Sequence, residues 1–467
     1  MKAILISLDT NCANHLGCYG HRFDTSPNID KFASQGVVFE RCYASDVPTP
    51  PSYTAIFSGR FGIHNGIFGF QPADTYRPGP PLLQEVLVAA GHRTGAISNL
   101  FYPCPWLFRG WRDVTPPGTA FQRGPAPEVT DEAIAWLKNH SAKDFFLFVH
   151  YWEPHQPYRK APPEHRKLFP TESYEGFAPS MDFINSNPII KDFYRRYHEM
   201  GEGDPNLSPA EVLARYDSQI HFADAEVARL LDHLDQAGLS DDTLVIITSD
   251  HGEAFGEYCF FDHFSCYDNI SHVPLIMRLP ATFPKAKRID GFVYGADIMP
   301  TVLTHAGIDV PDGVDGRNLL PSILEDQPTP HPFIVTDANA LVGQRMIVDG
   351  QWAMAHTLNH GPFVHIKPYE LFDLQGDPEK DLSAQHPDLV KDLRIKMEDW
   401  LDEQLKGAPD PLAYAAHDGG WAIGHGSLIH GVLSNLELAM NNKVFWETFT
   451  RKHGPGIKYL PALKALK

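Results

Sequence analysis

Uninterrupted apolar runs recur through the first two thirds of the chain and alternate with stretches of helical period. "AILISL" (3–8), "TGAIS" (94–98), "DFFLFVHYW" (144–152) and "DTLVIITSD" (242–250) predict strands, while the segments from Ser26 to Gln35 and from Asp217 to Leu234 predict helices. Strands that are apolar at successive positions are buried on both faces, and helices between them imply parallel pairing. The expected fold class is therefore α/β, a mostly parallel central sheet sandwiched by helices. Beyond Pro330 the texture changes: "PFIVTD", "QRMIVDG" and "WAMAHT" follow one another without a helix, then come "YELFDLQGDPEKDL" and an amphipathic stretch from Pro387 to Gln404. This predicts a smaller α+β subdomain, an antiparallel sheet carrying one helix. The resulting division is a large domain over 1–329, the subdomain over 330–406, and an extension over 407–467 expected to pack on a neighbouring subunit or over the mouth of the site. A Pro-, Tyr- and charge-rich insertion, 162–205, is expected to line or cover that site, as is the aromatic "FYPCPWLFRGW" (101–111).

Composition narrows the partners. A chain of 467 residues with a formal charge of −19 repels nucleic acids and acidic membrane surfaces, so recognition of an anion needs a local cation. No run approaches the roughly 20 apolar residues of a membrane span. The opening "MKAILISLDT" reads as a first strand rather than a secretory leader, giving a cytoplasmic expectation. The six cysteines lack zinc-type spacing and are expected to be reduced. The expected partners are a small-molecule ester and further copies of the chain, with no nucleic acid and no membrane.

Ligands in parallel sheets bind beyond the carboxyl ends of the strands. There the sequence places Asp9 after "AILISL", His155 in "EPH" after "FFLFVHYW", and Asp250 and His251 after "TLVIITS". Two carboxylates and an imidazole suit a divalent transition ion, Mn²⁺ or Zn²⁺, better than Ca²⁺. In "SDVPTPPSYTAIFSGR", Thr49 lies where a loop enters a helix, a position whose free N–H groups favour anions. Read alone, Asp9 is a turn residue and Thr49 a helix cap; together with Asp250 and His251 they make a metal-activated alcohol nucleophile. Asp217 and His221, four apart on a helix, read as one packed or solvated face rather than a second site. Arg60 reads as structural, with His64 and Asn65 near the pocket.

These motifs, in this order, resemble the sulfatase branch of the alkaline phosphatase superfamily. "ILISLDTNCANHLGCYG" is similar to its opening strand and metal loop, "TPPSYTAIFSGR" to the sulfatase signature, "VHYWEPHQPY" to the central His motif and "SDHGEAFGEYCFFDHFSCYDNISHVPLIMRLP" to the second metal motif. "YELFDLQGDPEKDL" resembles its C-terminal subdomain. The resemblance implies one divalent ion held by Asp9, Asp250, His251 and Thr49, with His155 and His263 contacting the transferred group and one of them protonating the leaving oxygen. Thr10 stands where a second Asp is usual. Thr49 occupies the position at which sulfatases convert Cys or Ser to formylglycine, and threonine cannot be so converted. Tyr53 replaces the signature Arg, and Asn99 and His263 align with two lysines. These losses of fixed cations suit a singly charged group, and Tyr53 and Asn99 become candidate substrate contacts. The implied activity is hydrolysis of a phosphodiester or phosphonate monoester through a phosphothreonine. The alternatives are sulfate-ester hydrolysis without formylglycine and a non-catalytic ligand-binding descendant.

Overall fold

The computed structural model describes residues 1–69, 76–100, 103–119, 122–186, 188–195, 206–361, 363 and 365–417. Its main sheet has eight strands in the order Lys287–Tyr294, Val37–Tyr43, His272–Arg278, Thr243–Thr248, Lys2–Leu8, Phe145–Tyr151, Arg93–Ile97, Asp113–Thr115. All run parallel except His272–Arg278, which is antiparallel to both neighbours. The reason lies in the preceding segment: after Thr248 no helix returns the chain to the opposite edge, so the next strand must run back from the carboxyl edge.

Side-chain alternation splits each central strand between two layers. Ile4, Ile6, Leu147, Val149, Val245 and Ile247 face a core completed by helices Pro27–Ala33, Ala126–His140 and Pro209–Gln236. Ala3, Leu5, Phe146, Phe148, Leu244 and Ile246 face the other, completed by helices Thr49–Ser58, Leu83–Ala89 and Ile298–His305. The central strands carry no polar face because both sides are covered.

The second sheet has the order Tyr369–Asp373, Trp352–Asn359, Gly343–Asp349, Ile334–Asn339, Asp46–Val47. Helix Pro387–Leu405 sets Leu393 and Met397 against Val335, Ile347, Met354 and Leu371. The short strand Asp46–Val47 pairs in parallel with Ile334–Asn339 and stands just before Thr49, so this sheet reaches into the Thr49 segment. Arg345 joins two of its strands to the chain beyond that helix, bonding Asp337 through Nε (2.7 Å) and Asp410 through Nη1 (2.9 Å). The expected roles of the extension fall largely on residues 418–467, which lie outside the described residues.

Several aromatics of the expected pocket walls pack into the core instead, while residues 101–102, 187 and 196–205 lie outside the described residues. Within the insertion, Phe169, Tyr174 and Tyr194 are buried in the core around helix Pro209–Gln236. Cys104 and Leu107, with Trp106, Phe108 and Trp111 packed alongside, cover the opposite face of the sheet next to Tyr53 and Phe57. Burying large aromatic surface against the sheet takes precedence over lining an aqueous cleft.

Candidate active site

Parallel strands end on one edge, and that edge brings Asp9, Asp250 and His251 together: one ligand atom from each lies within 4.8 Å of the others. Asp9 N–H donates to the Tyr151 carbonyl, extending the ladder by one residue past Leu8. Thr10 then turns the chain with φ +65°, a left-handed conformation costing a β-branched residue about 1–3 kcal/mol. Its backbone N–H donates to Asp250 Oδ1 (3.0 Å) and its hydroxyl to Asp9 Oδ1 (2.8 Å), which hold the strained turn and join the two carboxylates. Ser52 Oγ, one turn into the neighbouring helix, donates to the Asp250 carbonyl (2.7 Å).

Helix Thr49–Ser58 is buried at every position and ends at Gly59, whose φ of +63° and proximity to Val314, 2.6 Å from where a Cβ would stand, require glycine. Its start differs from the expected anion cradle. Pro50 and Pro51 have no N–H, and Ser52 N–H closes onto the Pro48 carbonyl, so the first turn offers a single backbone donor, that of Thr49. Thr49 itself sits as expected, with Oγ1 3.0 Å from His251 Nε2.

Tautomers follow from the partners. A carbonyl can only accept, so His251 Nδ1–H donates to Gly252 O (2.8 Å), leaving the Nε2 lone pair toward Thr49. Burial, reinforced by His263, pushes His251 down to about 3, so the ring is neutral and its single lone pair is open either to the Thr49 hydroxyl or to a cation. Burial also raises the two carboxylates' ionisation cost. For Asp9 the His150 hydrogen bond and the surrounding imidazoles outweigh burial and hold it ionised, whereas burial and the Asp9 charge push Asp250 well above the carboxylate range. Asp250 Oδ2 is buried without a hydrogen-bond partner, and so are both polar atoms of the Asn11 side chain. An orphaned carboxylate oxygen, a second carboxylate and an imidazole lone pair fit a divalent cation, which would remove the conflict between the two acids.

His263 stacks on His251 with ring centroids 4.5 Å apart, and His155 meets His263 edge-on at 5.2 Å. Burial opposes charge on His263, but Asp262 (2.8 Å) and Glu253 (3.1 Å) flank Nδ1 and hold the imidazole protonated well above its ordinary range. His155 Nδ1–H donates to Gln156 O (2.8 Å).

A family model described as "Sulfatase" matches residues 2–308, and one described as "N-sulphoglucosamine sulphohydrolase, C-terminal" matches 256–406. The chain belongs to the sulfatase family. Within the alkaline phosphatase superfamily it is similar to the N-acetylglucosamine-6-O-sulfatase of Bacteroides thetaiotaomicron, 23% identical over 87% of each chain. It is also similar to the multifunctional alkaline phosphatase superfamily protein PehA of Trinickia caryophylli, 31% identical over 43% of this chain and 41% of that one. Among solved structures, the phosphonate monoester hydrolase SpPMH of Silicibacter pomeroyi shares the fold at TM-score 0.72, 19% identical over 87% of this chain and 96% of that one.

Against the sulfatase-family expectation, Tyr53 is not a substrate contact. It is wholly buried, its hydroxyl 2.8 Å from Ser7 Oγ and its ring against Phe148 and His150, because its helix position faces the sheet. Asn99 is 6% exposed and its Oδ1 accepts from Trp152 Nε1, which fixes its carbonyl end in a structural bond. Arg60 donates to the carbonyls of His64 (2.6 Å) and Arg77 (3.3 Å), as its structural reading requires. His64 pairs with Asp315 (2.8 Å), and Asn65 bonds the Arg60 carbonyl and Ile67 N–H, so both brace the loop after helix Thr49–Ser58. Asp217 and His221 diverge: Asp217 meets His15 and His21, and His221 Nδ1 lies 2.8 Å from His165 Nδ1.

Sequence reasoning missed His150, Glu253, Asp262 and Asn11. His150 Nε2–H donates to Asp9 Oδ2 (3.0 Å), while Nδ1 lies 3.1 Å from Ser98 Oγ. The signal was present: a lone ionisable group inside an apolar strand needs a partner, and parallel register sets His150 opposite Ser7, two residues before Asp9.

Proposed function

We propose that this sulfatase-family hydrolase cleaves a singly charged phosphodiester or phosphonate monoester through a covalent phosphothreonine at Thr49. The observation that carries the reading is the Thr49 hydroxyl 3.0 Å from a neutral His251, beside the Asp9–Asp250 pair. A divalent ion, Mn²⁺ or Zn²⁺, held by Asp9, Asp250 and His251 would supply Lewis acidity, easing ionisation of the alcohol and offsetting charge on the transferred group. Thr49 releases its hydroxyl proton to solvent, Oγ1 attacks phosphorus in line, its bond to phosphorus forms, and the bond to the leaving oxygen breaks. His155 gives its proton to that oxygen. Water then attacks that phosphorus and gives one proton to His155, the phosphorus–Oγ1 bond breaks, and Oγ1 takes a proton from solvent to restore the Thr49 hydroxyl.

His263 supplies the fixed positive charge that the lost lysine would have supplied, held in place by Asp262 and Glu253. It therefore clamps the transferred group, and the single backbone donor at the Thr49 helix start contributes little. One held imidazolium beside the ion suits one negative charge on the substrate better than two.

The similarity to phosphonate monoester hydrolases and to PehA supports phosphorus as the electrophile. The sulfate reading is favoured by relatives whose names specify sulfated sugars, and it would require hydrolysis of a threonine sulfate. A panel of chromogenic phosphodiester, phosphonate monoester, phosphomonoester and sulfate ester, run with Mn²⁺ and with Zn²⁺, separates them. The expected order of kcat/KM places the diester and phosphonate first; dominant sulfate turnover would replace this reading with the second.

A further inference from the structure

A second constellation lies on the layer of helix Pro209–Gln236. Three side chains meet there: His15 Nδ1 is 2.6 Å from Asp217 Oδ1, His21 Nε2 is 2.9 Å from Asp217 Oδ2, and one ligand atom from each residue lies within 4.8 Å of the others. The Asp217 side chain is fully buried and the histidine side chains are 11% and 10% exposed, so the cluster is closed on the protein side and reachable from solvent on one.

Proton accounting makes it more than an ion pair. His21 Nδ1 lies 3.0 Å from the Asn14 carbonyl, which only accepts, so Nδ1 carries a hydrogen. A neutral His21 therefore aims its Nε2 lone pair at a carboxylate. The alternative is an imidazolium stacked on His15, at 4.6 Å between centroids and 26° between planes. His15 needs only a neutral ring, donating Nδ1–H to Asp217, so His21 alone has acceptors at both nitrogens. A cation between His21 Nε2, His15 Nδ1 and Asp217 removes that mismatch. The outer partners are those of a ligated site: a backbone carbonyl on the far nitrogen of His21, and the Tyr174 hydroxyl, 2.6 Å from Asp217 Oδ2, on the carboxylate.

We propose that His15, His21 and Asp217 form a second site for a divalent transition ion, Zn²⁺ being the best match to two imidazoles and a carboxylate with one position left for water. It ties the loop after Asp9 to the long helix at Asp217 and, through Tyr174, to the insertion. It is separate from the ion at Asp9, Asp250 and His251, since the two clusters share no residue.

The test uses the full chain, equilibrated with buffered Zn²⁺ and assayed by atomic emission. About two ions per chain are expected in the unaltered protein, and about one in a His15→Gln/His21→Gln variant. An Asp250→Asn variant, disabled in the other cluster, is expected to keep about one. Equal zinc in the unaltered protein and the histidine variant overturns the proposal. A zinc-edge anomalous difference map of unaltered crystals decides the case in which the histidine variant fails to fold. A peak among His15, His21 and Asp217 supports the site, and its absence, with a peak at Asp9 and Asp250, refutes it.

Discussion

Thr49 can be removed at small structural cost, and this makes it the sharpest test of nucleophilic catalysis. Thr49→Ala deletes the hydroxyl and a methyl from a residue 3% exposed. The lost hydrogen bond to His251 is worth about 0.5–1.5 kcal/mol and the methyl about 0.8 kcal/mol, so stability should fall by about 1.3–2.3 kcal/mol. If Oγ1 forms the bond to phosphorus, turnover should fall by at least about 10³-fold, or about 4 kcal/mol in the barrier. Thr49→Ser keeps the oxygen and loses only the methyl, and should stay within about tenfold of the unaltered enzyme. Urea melts give the stability change, and initial rates on a chromogenic phosphodiester give the barrier change. Thr49→Ala turning over within about tenfold of the unaltered protein would refute the role assigned to Oγ1. So would a folded Thr49→Ser as inactive as the alanine variant.

His150→Gln should lower divalent-metal affinity by about 10–100-fold while leaving the fold intact, since the lost bond orients Asp9 rather than holding the ion, and competition with a chelator measures it. Arg345→Ala leaves Asp337 buried without its cation and should cost about 3–5 kcal/mol, read as a shifted urea midpoint. The Asp315 hydrogen bond raises the His64 pKa, so this pair stabilises the fold fully below the unfolded-state value near 6.5 and loses that contribution as pH rises through the higher folded value. His64→Gln should therefore flatten thermal stability across neutral to mildly alkaline pH, and melting curves at several pH values check it.

The parallel sheet and the Asp9–Asp250–His251 cluster were legible because they rest on a one-dimensional pattern. Apolar strands alternating with helices imply a common carboxyl edge, and the polar residues just past each strand, Asp9 and Asp250–His251, must then be neighbours. Thr49 was legible from the prolines around it. His150 was not, because its partner is set by register between strands distant in sequence, and the apolar run "FFLFVHYW" hides one imidazole. Tyr53 was misread because replacing an arginine says nothing about which side of a buried helix faces the sheet. The charge on His263 was also hidden. Its alignment with a lost lysine suggested a missing cation, whereas Glu253 and Asp262, brought in by the loop that folds back beside the site, restore one. The strand Asp46–Val47 is too short to show any period, yet it carries the second sheet up to Thr49.

Covalent transfer to Thr49 is tested most directly by stereochemistry at phosphorus, which does not depend on an intermediate accumulating. A phosphorothioate diester of defined configuration, hydrolysed in isotopically labelled water, should give product with net retention, because attack by Thr49 and then by water inverts the centre twice. Net inversion would mean that water displaces the leaving group directly, and would contradict a covalent phosphothreonine.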